Sequence, residues 1–428
     1  MSNQEILKRS RILNIRIRRF ARSKQIYDYR LTGQPLGGSI KDSIGPFPEY
    51  LLHGVKCLRS ESGYCSPCGY SLDGYPIEKA KEKCVENSIH KQAMRIVKDF
   101  DRLVMKKQFR VFQSGKEKRI YFVVTAVGSF FSDNEVPLNI KSEMLSKLQA
   151  LVKDSNMNVW MFVETRPEDV ITYVEQGKIG KICDSLIDLN TTVLFGFESI
   201  NETIRNLDYL KNLSLETFEN AVKLLQNYGI RNGAFVFVGG HSLTQTEIVK
   251  DFENTVSYLY SRRIMPVVMV ENLKKCTINH LLYLLGQHRL VEPRTSLKIL
   301  EILRAKQVDL SPEPWLVADP VGGPPEPAIH SFKNDKMRTC NDCAGNILGG
   351  LRYIRKTYRW NDFDVLLHPE IDDCNCIEDY RKLIELESNL SSLPLEQRIF
   401  SNVKFAEQNL NKYFALLKNN SEVKTGEN

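Results

Sequence analysis

The segment Leu51-Leu-His-Gly-Val-Lys-Cys57-Leu-Arg-Ser-Glu-Ser-Gly-Tyr-Cys65-Ser-Pro-Cys68-Gly-Tyr70 places three cysteines on one short loop directly after an apolar run. Three thiolates are one ligand too few to close a four-iron cluster, so the fourth iron of such a cluster keeps an open position. The alternative is zinc, which needs a fourth ligand such as His53. A strand that points Cys57 outward leaves His53 poorly placed, so we favour a 4Fe–4S cluster held by these three cysteines.

The chain has the composition of an ordinary globular protein, with 42% hydrophobic and 26% charged residues among its 428. Its length predicts one large barrel with an appendage, or two to three domains. No apolar run approaches the length of a membrane span, and the N-terminus lacks the apolar stretch of a signal peptide. We therefore expect a soluble, cytoplasmic protein without a membrane span.

Ten cysteines in a chain without an export signal indicate metal or redox chemistry rather than disulfides. Seven of them fall into two tight groups, of which the loop described above is the first. The other three, Cys84, Cys183 and Cys276, are expected to be buried small apolar residues.

Positive charge is concentrated near the N-terminus of a chain whose formal net charge is +7. Eight basic residues and no acidic ones lie in this stretch: Lys8, Arg9, Arg11, Arg16, Arg18, Arg19, Arg22 and Lys24. Such a stretch suits nucleic-acid phosphates, or an organelle transit peptide. It also suits an amphipathic arm that packs through Ile12, Ile15, Ile17 and Phe20, and the sequence leaves the three alternatives open.

Short β-branched or aromatic runs recur between helical patterns, which predicts βαβ units and a parallel sheet. The predicted strands are Leu51–Val55, Ile120–Val127, Val159–Val163, Thr192–Phe197, Ala234–Val238 and Pro266–Val270. Among the helices, the one that follows Thr244 begins with a capping box formed with Glu247. We predict an α/β fold, a partial (β/α)6 barrel, with the cysteine loop at the carboxyl end of the first strand.

The predicted domains follow from this pattern. A basic N-terminal extension covers residues 1–48, and the barrel covers residues 49–290. After a proline-rich stretch, a C-terminal α+β module with cysteine pairs covers residues 291–418, and it contains a helix from Leu395 to Leu417. A polar tail, residues 419–428, is expected to be disordered.

Three further segments, each at the end of a predicted strand, accompany the cysteine loop: Thr125–Asp133, Val163–Glu168 and Gly196–Ser199. Together they resemble the radical S-adenosylmethionine (SAM) superfamily, in the branch of the Elongator catalytic subunit and closest to the archaeosine-forming radical SAM enzymes. The resemblance covers roughly residues 51–270. The chain departs from the common Cys-x3-Cys-x2-Cys spacing, because seven residues separate Cys57 from Cys65. It also has Pro67 where an aromatic residue is usual, which Tyr70 would replace.

The resemblance implies a 4Fe–4S cluster whose open iron is chelated by SAM, and reductive cleavage of SAM to a 5′-deoxyadenosyl radical. It places the SAM amino group at Gly128 and Ser129, and the SAM carboxylate at Arg166. It implies a ribose hydroxyl or Arg166 as the partner of Glu164, with a structural ion pair as the alternative. Ribose or carboxylate contacts are expected at Glu198 and Arg205, and adenine contacts at Gly239 and Gly240. His241, which follows, either faces substrate or caps the next helix.

The second cysteine group consists of Cys340-Asn-Asp-Cys343 and Cys374-Asn-Cys376. Two pairs suit a structural zinc ion or an auxiliary iron–sulfur cluster, and we favour zinc. The residues between the pairs include basic and aromatic side chains that suit either looped RNA or a solvated helix face: Arg352, Arg355, Lys356, Tyr358, Arg359 and Trp360.

The sequence therefore predicts a radical SAM enzyme that modifies a base in transfer RNA. A small metabolite or natural-product intermediate is the alternative substrate, and a non-catalytic, metal-stabilised RNA-binding protein is the alternative class. The expected partners are transfer RNA and an electron donor such as ferredoxin or flavodoxin. The oligomeric state stays open.

Overall fold

A computed structural model describes residues 2–23, 49–66, 82–105, 112–114, 117–126, 128–155, 157–271, 276–307, 315–316, 338–357 and 373–422. Cys68 and Tyr70 of the cysteine loop, the proline-rich stretch and the side chains of the basic and aromatic residues at 352–360 lie outside this part of the chain, as does the terminal tail beyond residue 422.

A parallel sheet forms the centre of the protein. Its strands are β1 (Glu49–Leu52), β3 (Glu117–Ala126), β4 (Val159–Thr165), β5 (Thr192–Glu198), β6 (Arg231–Val238), β7 (Met265–Val270) and the short β8 (Trp315–Leu316), while β2 (Phe112–Ser114) pairs antiparallel with β3. Each parallel strand pairs with the next one along the chain, and no described pairing joins β1 to β8. The predicted α/β fold with six parallel strands is confirmed, and β8 is an additional strand that the sequence did not indicate.

Helices connect these strands and cover one face of the sheet. They are α1 (Asn3–Ser23), α2 (Leu58–Glu61), α3 (Lys83–Met105), α4 (Leu138–Ser155), α5 (Pro167–Glu175), α6 (Cys183–Asp188), α7 (Leu215–Asn227), α8 (Gln245–Ser261), α9 (Ile278–Leu284), α10 (Pro293–Gln307), α11 (Asn341–Thr357), α12 (Cys376–Ser391), α13 (Leu395–Gln408) and α14 (Leu410–Glu422). The predicted capping box at the start of α8 is present. None of the described helices is long and apolar enough to span a lipid bilayer.

Alternation along the strands gives the sheet two apolar faces. On β3, Phe122 and Val124 belong to the large core that the helices cover. Tyr121 belongs to a smaller cluster on the other face, where it packs with Phe162 of β4, and Phe235 of β6 lies in the same cluster. Both faces of the central strands are therefore buried, as parallel strands require.

The described C-terminal residues pack closely on the barrel. Within the described part of the chain they are helical, and their one strand, β8, extends the central sheet beside β7. Ile299, Leu303 and Ile347 share the main core with the barrel strands. The predicted terminal helix is two helices, which meet at Asn409.

The basic N-terminal segment is a docked helix. Ile17 and Leu13 are buried against α13 and α14, and Phe20 stacks on Phe414 at 3.8 Å between ring centroids. The predicted packing face is wrong at Ile12, which is 47% exposed. A cluster of apolar residues on α9, α13 and α14 thus fixes α1 to the body.

Candidate functional site

The cysteine loop lies at the carboxyl end of β1. Cys57 precedes the short helix α2, and Cys65 follows that helix with a φ of 59°, a left-handed conformation uncommon for a residue with a side chain. Cys65 is buried and Cys57 is partly buried. Burial raises the pKa of the Cys57 thiol, while Arg166 opposes this rise, and the neighbouring Cys65 contributes to it. Cys57 and Cys65, two of the three predicted ligands, are therefore close enough to interact electrostatically.

A turn after β5 holds the loop from one side. The main-chain N–H of Cys65 donates to the carbonyl of Leu210 at 2.9 Å, and that of Ser66 donates to Tyr209 at 2.9 Å. The Ser66 hydroxyl donates to the carbonyl of Asp208 at 2.8 Å. The loop is therefore tied to a segment about 145 residues further along the chain.

Helix α1 holds the loop from the other side. The buried Arg18 guanidinium donates to the carbonyls of Cys65 at 2.9 Å and Tyr64 at 3.0 Å, and also to that of Ser60. Asn14 donates to the carbonyl of Gly63 at 3.0 Å. A Cβ atom at Gly63 would lie 2.6 Å from a main-chain oxygen of α1, so only glycine permits this approach.

The contacts of α1 account for much of the N-terminal positive charge. Arg18 binds the loop, Arg22 pairs with Glu61 of α2, and Arg9 pairs with Glu407 of α13. Lys8, Arg16 and Arg19 stay exposed. Of the alternatives that the sequence left open, the packed amphipathic helix describes most of this segment.

Arg166 lies directly beside the cysteine loop. Its guanidinium is 3.3 Å from the Cys57 Sγ, and it forms ion pairs of 2.7 Å with both Glu135 and Asp169. The expected ion-pair partner, Glu164, is half-buried at the end of β4, and its carbonyl accepts a hydrogen bond from the N–H of Phe130.

Glu135 is a site residue that the sequence analysis missed. Its carboxylate accepts the N–H of Ser129 at 2.6 Å, and a Cβ atom at Gly128 would lie 2.3 Å from it. Gly128 therefore leaves space that the Glu135 carboxylate occupies, and a larger residue would displace that carboxylate. Burial raises the pKa of Glu135 to about 7, against the lowering effect of Arg166. No sequence pattern indicates this contact, because Glu135 lies in a turn outside any recognised motif.

Glu198 is positioned by an irregularity at the end of β5. The register with β6 shifts between Gly196 and Glu198, and Glu198 has a φ of 70°. Lys211 pairs with Glu198 Oε1 at 2.8 Å, while Glu198 Oε2 is buried without a hydrogen-bond partner among the described residues. Burial works against the charge of Lys211, but Glu198 and Cys65 together raise its pKa above the usual value.

Arg205 binds the backbone of this chain. Its buried guanidinium donates to the carbonyls of Leu213 at 2.8 Å, Ser199 at 2.8 Å and Ile200 at 3.1 Å. Arg205 thereby stabilises the five-residue π-helical turn Ile204–Asp208 that leads to the cysteine-loop contacts. The predicted ligand contact of Arg205 stays a prediction.

Two glycines end β6 in conformations that favour glycine. Gly239 has a φ of 149° and Gly240 a φ of 124°. A Cβ atom at either position would lie 2.5 Å from a buried acidic side chain, Glu271 at Gly239 and Asp208 at Gly240. The main chain at Gly239 and Gly240 therefore lies so close to Glu271 and Asp208 that no larger residue fits.

The second cysteine group forms a compact cluster. The Sγ atoms of Cys340, Cys343, Cys374 and Cys376 all lie within 4.8 Å of one another, and those of Cys340 and Cys374 are 3.6 Å apart. Two of the cysteines lie in the first turns of α11 and α12, where the helix dipole favours a thiolate. These four residues are therefore able to bind a metal.

A buried arginine accompanies this cluster. Arg294 Nη2 is 3.1 Å from the Cys376 Sγ and 3.9 Å from the Cys343 Sγ. Burial raises the pKa of the Cys376 thiol, but hydrogen bonds with Arg294, Cys340 and Cys374 together outweigh it, and the pKa lies below its usual value. Of the three isolated cysteines, Cys183 and Cys276 are buried as predicted, whereas Cys84 is exposed.

Comparisons with known proteins give distant likenesses. No family model matches the chain. An uncharacterized protein of Methanocaldococcus jannaschii is 25% identical over 361 residues, which cover 82% of this chain and 86% of that protein.

Two solved structures are also similar to the chain. Methanocaldococcus infernus Elp3, lacking residues 1–46, has a TM-score of 0.35 at 14% identity, over 49% of each chain. The radical SAM methyltransferase TsrM of Kitasatospora setae, with cobalamin and a 4Fe–4S cluster bound, has a TM-score of 0.31 at 13% identity, over 52% of this chain and 34% of TsrM. The chain thus spans about half of the first protein and a third of the second, and these likenesses do not assign it to a family.

We predict that Arg18→Gln loosens the cysteine loop. The substitution removes charge-assisted hydrogen bonds to buried carbonyls, so local opening should become at least tenfold more frequent. Hydrogen–deuterium exchange of the peptide that contains residues 58–66 measures this change. The matched control is Arg19→Gln, because Arg19 is exposed on the same helix. Equal exchange in both variants would show that α1 does not hold the loop.

We predict that Cys374→Ser abolishes metal binding by the C-terminal cluster. Removal of one of four thiolates should lower the bound metal by about one equivalent and lower the melting temperature, since a closed four-ligand site stabilises the fold. Elemental analysis and calorimetry of the purified protein check both effects. Cys84→Ser, at an exposed cysteine away from the cluster, should change neither. Equal metal content in both variants would contradict the site.

Proposed function

We propose that this protein is a radical SAM enzyme whose 4Fe–4S cluster is bound by Cys57, Cys65 and Cys68. The observation that supports the proposal is the position of Cys57 and Cys65 on either side of α2, after the carboxyl end of β1, where the two thiols interact electrostatically. In a parallel α/β sheet this end is where ligands bind. When bound together, the cluster and SAM would supply reductive cleavage and a 5′-deoxyadenosyl radical.

The charges around the loop suit an anionic cluster. Arg166 lies 3.3 Å from the Cys57 Sγ, and Arg18 binds the carbonyl of Cys65. The electrostatic interaction with Cys65 raises the pKa of the Lys211 ammonium group. The positive charge of Arg166 lowers the cost of ionising the Cys57 thiol, as a metal-binding thiolate requires.

Residues beside the loop suit the polar groups of SAM. Arg166 offers a guanidinium for a carboxylate. The carboxylate of Glu135, already aligned by the N–H of Ser129, offers an acceptor for an ammonium group. Glu198 Oε2 is buried without a described hydrogen-bond partner, and a ribose hydroxyl would satisfy it. These assignments retain Ser129, Arg166 and Glu198 from the sequence analysis, add Glu135, and omit Arg205.

A single metal ion is proposed for the C-terminal cysteines, and we favour zinc. Tetrahedral zinc with Zn–S bonds of about 2.3 Å separates its sulfurs by about 3.8 Å, close to the 3.6 Å between Cys340 and Cys374. A four-iron cluster would hold its thiolates farther apart, because each thiolate binds a different iron. The positive charge of Arg294 would partly compensate a tetrathiolate site.

A base in transfer RNA is the proposed substrate, on the basis of the sequence resemblance, and ferredoxin or flavodoxin is the proposed electron donor. Exposed Lys8, Arg16 and Arg19 on α1 are available for phosphate contacts. A small metabolite remains the alternative substrate.

We predict that the anaerobically reconstituted protein binds about four irons and four acid-labile sulfides at the loop, and forms 5′-deoxyadenosine from SAM when reduced. Cys65→Ala should lose the labile sulfide, the visible absorbance and the product. Cys84→Ala should retain all three. A wild-type protein with two or fewer irons and no 5′-deoxyadenosine would refute the enzyme assignment, whereas a colourless protein that holds only zinc and binds RNA would support the non-catalytic class.

We predict that transfer RNA binds with an affinity that falls steeply with salt. Each phosphate contact contributes a slope of about 0.7–0.9 in a plot of log affinity against log salt concentration. The double variant Arg16→Gln/Arg19→Gln should therefore reduce the slope by one to two. Filter binding over a range of salt concentrations measures it. No binding, or binding that is indifferent to salt, would favour the metabolite.

A further inference from the structure

A cavity lies apart from the cysteine loop, between the start of α8, the α9–α10 connection and helices α12 and α13. It has a volume of about 530 Å³, which is within the range of small-molecule sites. Neither Cys57, Cys65, Glu135, Arg166 nor Glu198 lines it. The side chains along one wall of the cavity are apolar, and those at one end are polar.

One wall of the cavity is apolar. Leu386, Leu390 and Leu393 follow one another at four- and three-residue spacing on and just after α12, and they are 63%, 51% and 48% exposed. All three line the cavity. Leucines this exposed on adjacent turns offer an apolar surface that a ligand would cover.

The polar end of the cavity contains two histidines, each backed by a buried carboxylate. His241 Nδ1 lies 2.7 Å from Ser242 Oγ and 3.1 Å from Asp208 Oδ1, and His288 Nε2 lies 2.9 Å from Glu271 Oε1. Both histidines line the cavity. Asn279 also donates to Glu271 at 2.6 Å, which fixes that carboxylate in place.

The Glu271 carboxylate determines which ring nitrogen of His288 carries a proton, because a carboxylate favours the tautomer whose N–H points at it. The other nitrogen of this ring, His288 Nδ1, has no hydrogen-bond partner among the described residues and is an acceptor. His241 Nδ1 contacts the Ser242 hydroxyl as well as Asp208, so these contacts do not select one tautomer for this ring. Burial lowers the pKa of His241.

The cations at the cavity are already paired. Arg398 binds both oxygens of Glu247, at 2.8 and 2.6 Å, and Arg289 lies 3.7 Å from Glu292. Glu387 also lines the cavity. A carboxylate or phosphate ligand would therefore lack a cation of its own and would meet this acidic side chain.

We propose that this cavity binds a small molecule with an apolar body and a hydroxyl or amine donor at one end. The leucine wall covers the body, and His288 Nδ1 accepts a hydrogen bond from the donor. The inference does not depend on the proposed iron–sulfur cluster, because none of the residues that line the cavity is a proposed cluster ligand.

The test is calorimetric titration of the full chain, without iron reconstitution, with four probes of similar size: 1-hexanol, hexylamine, methyl pentyl ether and hexanoate. We expect saturable binding of 1-hexanol or hexylamine. The ether, which lacks a donor, should bind at least fivefold more weakly, and hexanoate at least tenfold more weakly. The two donor probes distinguish an alcohol site from an amine site. No saturable binding of either, or equal affinity for the ether or hexanoate, would overturn the proposal.

A pair of variants locates the binding. Leu386→Gln/Leu390→Gln makes the wall polar at two exposed positions, so the fold should tolerate it, and the affinity for the donor probes should fall at least tenfold. Ile187→Gln is the matched control, at an apolar residue on α6 that is 45% exposed and does not line the cavity. Unchanged affinity in the double variant would place the binding elsewhere. Because the assay needs neither cluster nor SAM, its failure leaves the proposed enzyme activity to be judged by its own experiment.

Discussion

Buried charge at the carboxyl ends of the strands is the constraint on which this structure depends. Four carboxylates lie there, each with a basic partner: Glu135 with Arg166, Glu198 with Lys211, Asp208 with His241, and Glu271 with His288. Removing such groups from water costs several kcal/mol per ion, and hydrophobic replacements of similar volume are often at least as stable. A row of these pairs is therefore better explained by ligand binding than by stability.

The cysteine loop is held rigidly beside this row of charges. Arg18 of α1 and the main-chain groups of residues 208–210 bind opposite sides of a segment that has little regular structure of its own. A loop with bound carbonyls and amides loses less entropy when a cofactor binds than a free loop would. Helix α1 is in turn fixed by apolar contacts with α13 and α14, so the C-terminal helices help to position the loop.

The sequence predicted what depends on local pattern, and missed what depends on distant contacts. β-branched runs located the six parallel strands, and paired cysteine spacing located the C-terminal cluster. Arg18 looked like one of eight surface cations, because nothing near it in the sequence indicates that it binds a loop more than forty residues away. Arg205 follows the fourth strand, as a ligand-binding residue would, but the turn after β5 directs its guanidinium to the backbone. Position at a strand end therefore predicts proximity to a site, and not the direction of a side chain.

Asp208 joins the two proposed sites physically. Its carbonyl accepts the hydroxyl of Ser66 in the cysteine loop, while its carboxylate lies beside His241 at the cavity. Gly240 packs against the same carboxylate, where any larger residue would displace it. Because Asp208 belongs to the turn that fixes Cys65 and Ser66, a displacement of Asp208 at the cavity would move the backbone partners of the cysteine loop without a change of fold.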